Sequence, residues 1–230
     1  MTNGNRRRRR LLFRFQGEDM SETILFDYWR SSASYRLRIA LNLAGIPYRA
    51  VSIDLVKGEQ KSPEHLERNP QGLVPVLEID EHRMTQSLAI LEYLDTTRDM
   101  GLLPTDPAQR ARVQALAHSI AVDIHPVCNL QVVGFAASKS DTPAEARVDW
   151  MKRFIRPGLQ AFEVMLDDFD QSPYCVGKTP GLADICLMPQ IYNARRWEVD
   201  ISDLPRLLAV EAACAENPAF AAAYPDQVQP

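Results

Sequence analysis

Asn69 to Asp80 reads NPQGLVPVLEID, a strand-like apolar run with a proline, Pro75, set inside it. Proline has no N–H to give a ladder, so a central strand is an odd place for it. A cis Val74–Pro75 bond at the start of the strand accounts for it, and so does an ordinary trans proline on an edge. Downstream, Asp80-Glu81 supplies a turn, HRMT (82–85) returns, and SLAILEYLDTTR (87–98) places Leu88, Leu91, Tyr93 and Leu94 on or near one helical face. Upstream, ILFDYW (24–29) and YRAVSID (48–54) are β-rich runs, and the polar stretch 62–69 suits a short helix. Between them SYRLRIALNLAG (34–45) spaces Leu37, Ala40, Leu41 and Ala44 as a helix and stops at Gly45. The order βαβ, then α, then ββα predicts a small mixed sheet covered by helices.

Residues 99–107, DMGLLPTDP, read as a linker carrying Gly101, Pro104 and Pro107. Beyond them no strand pattern stands out. Helical patterns run over 107–138, 143–170, 181–194 and 205–215. Pro126 removes the bond to the Val122 carbonyl and should kink the first of these. GLAD (181–184) reads as a helix start, with Asp184 placed to cap backward and to meet the helix dipole.

The totals narrow the function. The chain has 230 residues, enough for one large or two modest domains. No uninterrupted apolar run reaches the ~18 residues of a membrane helix. Six of the 26 basic residues and two of the 30 acidic ones fall within 1–20, so the remainder is net acidic and a poor partner for nucleic acid. The run Arg6–Arg10 reads as a disordered basic tail over 1–22 or as a mis-assigned start, with Met20 as the alternative first residue. Twin arginines suggest export, but no 7–15-residue apolar segment follows them. Cys128, Cys175, Cys186 and Cys214 make no CxxC pair, and the four histidines are scattered. Reduced, mostly buried thiols in a cytoplasmic protein without a metal site are expected.

The chemistry concentrates in RSSASYRLR (30–38), where three serines and three arginines crowd a helix start. Such a start has unpaired N–H groups and the positive end of a dipole, which together stabilise an anion. A serine there can donate to a thiolate, whose pKa falls near a helix N-terminus. Serines also serve well as plain N-caps, and on spacing alone that reading stands beside the other.

These motifs together resemble the zeta-class glutathione transferases, the maleylacetoacetate isomerase family. RSSASYRLRIAL (30–41) is similar to the class signature, which usually reads S-S-C-[SA]-x-R-V-R-I-A-L. NPQGLVPVLEID and QSLAILEYLD (86–95) are similar to the family's glutathione-binding strand and helix start. DIHPVCNLQVV (123–133) and ADICLMPQIYNARRWEVD (183–200) resemble further zeta segments. The resemblance covers about nine-tenths of the chain, from Ile24 on. It implies a thioredoxin-like glutathione-binding domain over 23–98, the linker, and an all-helical substrate domain over 108–230. It also implies a homodimer, since these transferases pair unlike domains across a two-fold axis.

The resemblance further implies a site. Ser31 would donate to the glutathione sulfur, with Ser32 and the Ala33 N–H as second donors. Val74 would pair its backbone with the cysteinyl part of the tripeptide, along an edge shaped by Pro75. Gln86 and Ser87 would hold the γ-glutamyl carboxylate, unless they only cap a helix. His125 and Asn129 fall where zeta enzymes contact glutathione or line the cleft, although His125 beside Pro126 can equally satisfy a backbone group. The implied substrates are cis-enone dicarboxylates, isomerised by addition of the thiolate, rotation and elimination, so that glutathione acts as a catalyst and is not consumed. Arg30 and Arg196 occupy family positions for the carboxylates and the enolate. Arg195 reads as a surface arginine.

Three departures matter. Ala33 replaces the usual cysteine, Gly181 replaces a usual capping Ser or Thr, and Gln131 stands where some maleylpyruvate isomerases have arginine. The last tilts the substrate from maleylpyruvate toward maleylacetoacetate. A transferase or dehalogenase acting on α-halo acids is the rival enzyme, but the branch that needs a protein thiol for disulfide exchange is opposed by Ala33. A non-catalytic binder on this fold would be expected to lose Ser31 or the Gln86-Ser87 pair, and both are present.

Overall fold

The computed structural model describes residues 22–230. The arginine-rich tail and the alternative start at Met20 lie outside the described residues. Glu22, assigned to the tail on sequence, takes the Arg49 guanidinium at 3.0 Å.

Four strands form one sheet: β1 (Ile24–Asp27), β2 (Arg49–Ser52), β3 (Val76–Ile79) and β4 (His82–Thr85), in the order β2-β1-β3-β4. β1 runs parallel to β2 and antiparallel to β3, and β3 and β4 form a hairpin. The Val74–Pro75 bond is cis. The sequence predicts a strand over 73–80, but pairing begins only at Val76. Pro75 therefore stands just outside the ladder, where its missing N–H costs no pairing. The Leu73 carbonyl is also engaged elsewhere, accepting Asn69 Nδ2 at 2.9 Å and lying 3.0 Å from His65 Nε2.

Alternation along the two central strands divides the core. Ile24, Phe26 and Val76 pack with Ile53 on one face, while Leu25, Leu77 and Ile79 join the main core on the other. Helix α1 (Ser32–Leu43) fills that second face and is buried almost all round, with α3 (Ser87–Arg98) beside it; α2 (Pro63–Arg68) is short and peripheral. Burial on every side of α1 exceeds the one apolar face that the spacing predicts, because helices of the second half pack on it as well.

The second half is helical: α4 (Pro107–His118), α5 (His125–Val127), α6 (Leu130–Ala137), α7 (Pro143–Met165), α8 (Leu182–Arg196), α9 (Pro205–Glu216) and α10 (Pro218–Ala223). The break near Pro126 takes an unexpected form. Residues Ser119–Ile124 widen into a π turn, with His125 N–H bonded to Ile120 O, and this places the proline without a clash. The axis then bends by 40° at the Cys128-Asn129 junction. Pro157 and Pro189 sit inside α7 and α8 without ending them.

Gly181 also has a reason beyond capping. Its N–H goes to Asp184 Oδ2 at 2.8 Å, and Cys175 N–H goes to Asp184 Oδ1 at 2.8 Å, so the buried carboxylate does the capping. A Cβ on Gly181 would stand 2.9 Å from the Leu102 carbonyl, which accepts the Leu182 N–H. The linker backbone occupies the space that a side chain would need. No single helix among the described residues is long and apolar enough to cross a membrane.

Candidate active site

A cavity of about 520 Å³ opens where the N-terminus of α1, the loop before β3 and the start of α3 meet helices α5 to α8. It takes in Arg30, Ser31, Ser32, Ala33, Val74, Pro75, Gln86, Ser87, His125, Asn129 and Arg196. Every residue singled out from the sequence for glutathione or substrate thus lies on one surface.

Ser31 is the N-cap of α1. Its Oγ accepts the Ser34 N–H at 3.3 Å and its carbonyl accepts the Tyr35 N–H at 2.9 Å. Because the oxygen accepts, the Ser31 hydroxyl proton stays free to donate, so capping and anion binding are compatible in one side chain. The Ser32 and Ala33 N–H groups have no partner among the described residues and add two donors at the same dipole end. Val74 likewise has neither peptide group in a hydrogen bond within the described chain, leaving an edge that an extended peptide can join.

Gln86 caps α3 with φ 68°, a conformation rare for a residue with a Cβ, and its amide Nε2 donates to Gln71 Oε1 at 2.8 Å. Ser87 Oγ accepts Arg36 Nη1 at 3.1 Å. Arg36 was missed on sequence. It is only 2% exposed, burial lowers its pKa, and its Nε and Nη2 have no partner among the described residues. Its place three residues before Ile39 in an apolar helix gave no sign that it would turn toward α3 and the cavity.

The His125 imidazole has no hydrogen-bond partner among the described residues, although its backbone is engaged on both sides. Burial, and after it the Arg36 charge, push its pKa from 6.5 down to about 3. It faces the cavity as a neutral imidazole with one donor and one acceptor, not as a cation. Between about pH 3 and 6.5 the unfolded chain binds a proton there that the folded chain refuses, so stability falls as pH drops through that window. His125→Gln should flatten the loss of the urea midpoint between pH 6.5 and 4; an unchanged slope would assign that loss to other groups. Asn129 is partly committed to structure, since its Oδ1 caps α6 by accepting the Gln131 N–H at 2.9 Å.

The electrostatics are one-sided. Of the fifteen arginines among the described residues, ten form ion pairs: Arg38, Arg49, Arg68, Arg83, Arg98, Arg110, Arg112, Arg156, Arg195 and Arg206. The five that do not are Arg30, Arg36, Arg147, Arg153 and Arg196, and all but Arg153 line the cavity. No Asp or Glu among the described residues lines it. Arg30 donates to the Tyr28 hydroxyl at 2.9 Å and lies 4.7 Å from the Trp29 ring centre. Arg196 lies 5.0 Å from that of Trp197. Burial, then the nearby Arg30 charge, lower the Arg196 pKa, with Arg147 acting in the same direction. Arg195 is held outside by Glu211, at 2.9 and 2.6 Å, as its surface reading expects. An acidic protein that keeps an acid-free, arginine-lined cleft has a site for anions.

The four cysteines are buried and unpaired, and burial pushes the Cys128 and Cys186 thiols up to about 11. None is poised as a nucleophile at neutral pH. Among the described residues no group of three or more His, Cys, Asp or Glu side chains is placed to hold a metal ion.

Comparison with known proteins gives the same picture. The family model for the glutathione S-transferase N-terminal domain matches residues 21–96. A maleylacetoacetate isomerase of Rhizobium meliloti is 56% identical over 211 residues, which span 91% of this chain and 99% of that one. A solved holo maleylpyruvate isomerase, described as a bacterial zeta-class glutathione S-transferase, superposes with TM-score 0.85 at 40% identity, covering 90% of this chain and 98% of the other. A maleylacetoacetate isomerase from Anaeromyxobacter dehalogenans, solved with dicarboxyethyl glutathione and citrate in its active site, gives TM-score 0.80 at 38% identity, covering 91% and 93%. With a thioredoxin-like four-stranded sheet, a helical second half and relatives of this identity over nearly their whole length, the chain belongs to the zeta-class glutathione transferases, the family of the maleylacetoacetate isomerases.

Proposed function

We propose that the protein is a glutathione-dependent cis–trans isomerase that converts maleylacetoacetate to fumarylacetoacetate. The observation that carries the reading is the acid-free cleft in which an unpaired helix N-terminus and four arginines without ion pairs face one cavity. When bound, glutathione supplies the thiolate that adds to the double bond and leaves it again.

The protein's own groups divide the remaining work. Ser31 and the Ser32 and Ala33 N–H groups hold the sulfur as an anion. Val74 pairs with the tripeptide backbone as an added strand. Ser87, with Arg36 behind it, and Gln86 receive the γ-glutamyl carboxylate at the start of α3. Arg36 donates to the Ser87 oxygen, which leaves the Ser87 proton for the ligand. Arg30 and Arg196 hold the substrate carboxylates and meet the charge that develops on the carbonyl oxygen beside the double bond. Neutral His125 and the free Asn129 amide complete the cleft.

Maleylpyruvate is the second substrate to weigh, favoured by the likeness to a solved maleylpyruvate isomerase and opposed by the neutral Gln131 in the cavity wall. Reductive dehalogenation is opposed by Ala33, which removes the signature cysteine next to Ser32, and by the Cys128 thiol, which lines the cavity but is pushed up to about 11 by burial. A homodimer acting in the cytoplasm, in the breakdown of tyrosine, phenylalanine or another aromatic compound, is the setting that the family suggests. The test follows maleylacetoacetate to fumarylacetoacetate with and without glutathione, with maleylpyruvate in parallel. Glutathione-dependent turnover that is faster on maleylacetoacetate supports the proposal. Absence of turnover on both substrates removes it.

A further inference from the structure

Ten of the fifteen described arginines are paired with carboxylates, so an unpaired arginine in this acidic protein is the exception, and Arg147 is one. It stands on the second turn of α7, exposed, and lines the same cavity wall as Arg30 and Arg196. The three come from different parts of the chain: the turn before α1, the second turn of α7 and the end of α8. Three guanidiniums around one opening repel each other, and among the described residues no acidic side chain in the wall offsets them.

The order of the three along the cleft is legible. Arg30 adjoins Ser31 in the chain and so lies at the sulfur end. Arg196 feels both of the others, Arg30 more strongly than Arg147. Arg147 is exposed on α7, whereas Arg30 is half-buried beside Ser31, so Arg147 stands outward from the thiol. The charges fit this order. In the assignment above, the γ-glutamyl carboxylate is met by Ser87 and Arg36. A dicarboxylate substrate then brings two carboxylates and one oxygen that gains charge, against Arg30, Arg196 and one more cation. Gln131, facing the cavity from α6, is neutral and cannot supply it.

We infer that Arg147 is the third arm of the substrate clamp and binds the carboxylate farthest from the reacting double bond, which makes it a determinant of substrate length and charge. This rests on the isomerase reading for the natural substrate, but the cation itself is tested without turnover. The probes are S-(5-carboxypentyl)glutathione and S-hexylglutathione, of similar length and differing by a terminal carboxylate, titrated by calorimetry beside glutathione.

The unaltered protein should bind the carboxylate probe more tightly than the hexyl one. Arg147→Gln should weaken the carboxylate probe about tenfold, the worth of one charge-assisted contact, and leave glutathione and S-hexylglutathione within about twofold. Arg147→Lys should keep part of the preference. In turnover, Arg147→Gln should raise KM for maleylacetoacetate more than it lowers kcat. Equal weakening of both probes, or a carboxylate preference that survives Arg147→Gln, overturns the inference. If the carboxylate preference disappears in Arg147→Gln while maleylacetoacetate is not turned over even by the unaltered protein, the clamp stands and only the isomerase reading fails.

Discussion

Replacing Arg38 with alanine should destabilise the fold by about 3–5 kcal/mol, the largest effect on stability expected of any single change in the site's support. Arg38 is 1% exposed and uses its whole guanidinium. Nη1 meets both Asp27 oxygens at 2.9 and 2.8 Å, Nη2 donates to the Trp29 carbonyl at 2.9 Å, and Nε donates to the Ala223 carbonyl at 3.1 Å. One side chain on α1 thus holds the end of β1, the turn that carries Arg30, and the C-terminus of α10. Truncation would leave the buried Asp27 carboxylate without its counter-ion, and the buried Ala223 and half-buried Trp29 carbonyls without this donor. Urea unfolding is the check, with the midpoint falling at an unchanged slope. Because much of the cost comes from the stranded charge, Asp27→Asn combined with Arg38→Met should lose less than Arg38→Ala alone. A loss under about 1 kcal/mol for Arg38→Ala would place the Asp27 pair with ordinary surface bridges and refute Arg38 as the side chain that ties α10 to β1.

Ser31→Ala should have the largest effect on rate. Removing one preorganised donor from a developing or held anion costs about 10²–10³-fold in kcat. The change also strips the α1 cap, for about 1 kcal/mol of stability, so the two effects are measured separately by turnover and by urea. Glutathione should still bind, because the Val74 edge, the start of α3 and the Ser32 and Ala33 N–H groups are untouched. The ultraviolet absorbance of bound thiolate should shift to higher pH in the variant. Turnover equal to that of the unaltered protein would remove Ser31 from the chemistry and leave it as a cap.

Much of this was readable in the chain, for physical reasons. The βαβ-α-ββα order follows from periodicity, and Gly45 and the Asp80-Glu81 turn mark where periods change. The anion-binding start of α1 was legible because helix starts carry local signals, here Ser31 and Ser32, while the rest of the site's outline came from the resemblance to the zeta class. What stayed hidden was long-range. Arg36 and Arg38 sit two apart in one apolar helix, yet one turns to Ser87 and the cavity and the other to Asp27 and Ala223. Spacing alone cannot distinguish those directions, nor show that Arg147 on α7 reaches the cleft used by Arg30. Helix α10 was also missed, although Asn217-Pro218 is a cap followed by a first-turn proline, because the alanine-rich stretch PAFAAA has little amphipathic pattern. The π turn before Pro126 had no sequence signal beyond the proline itself.

The most direct test of the central claim is the fate of glutathione during turnover. With maleylacetoacetate in large excess over glutathione, the product should exceed the glutathione present many times over while the free-thiol titre at the end equals that at the start. Product formation that stops at one equivalent, with the thiol titre falling in step, would show that glutathione is consumed and would contradict an isomerase.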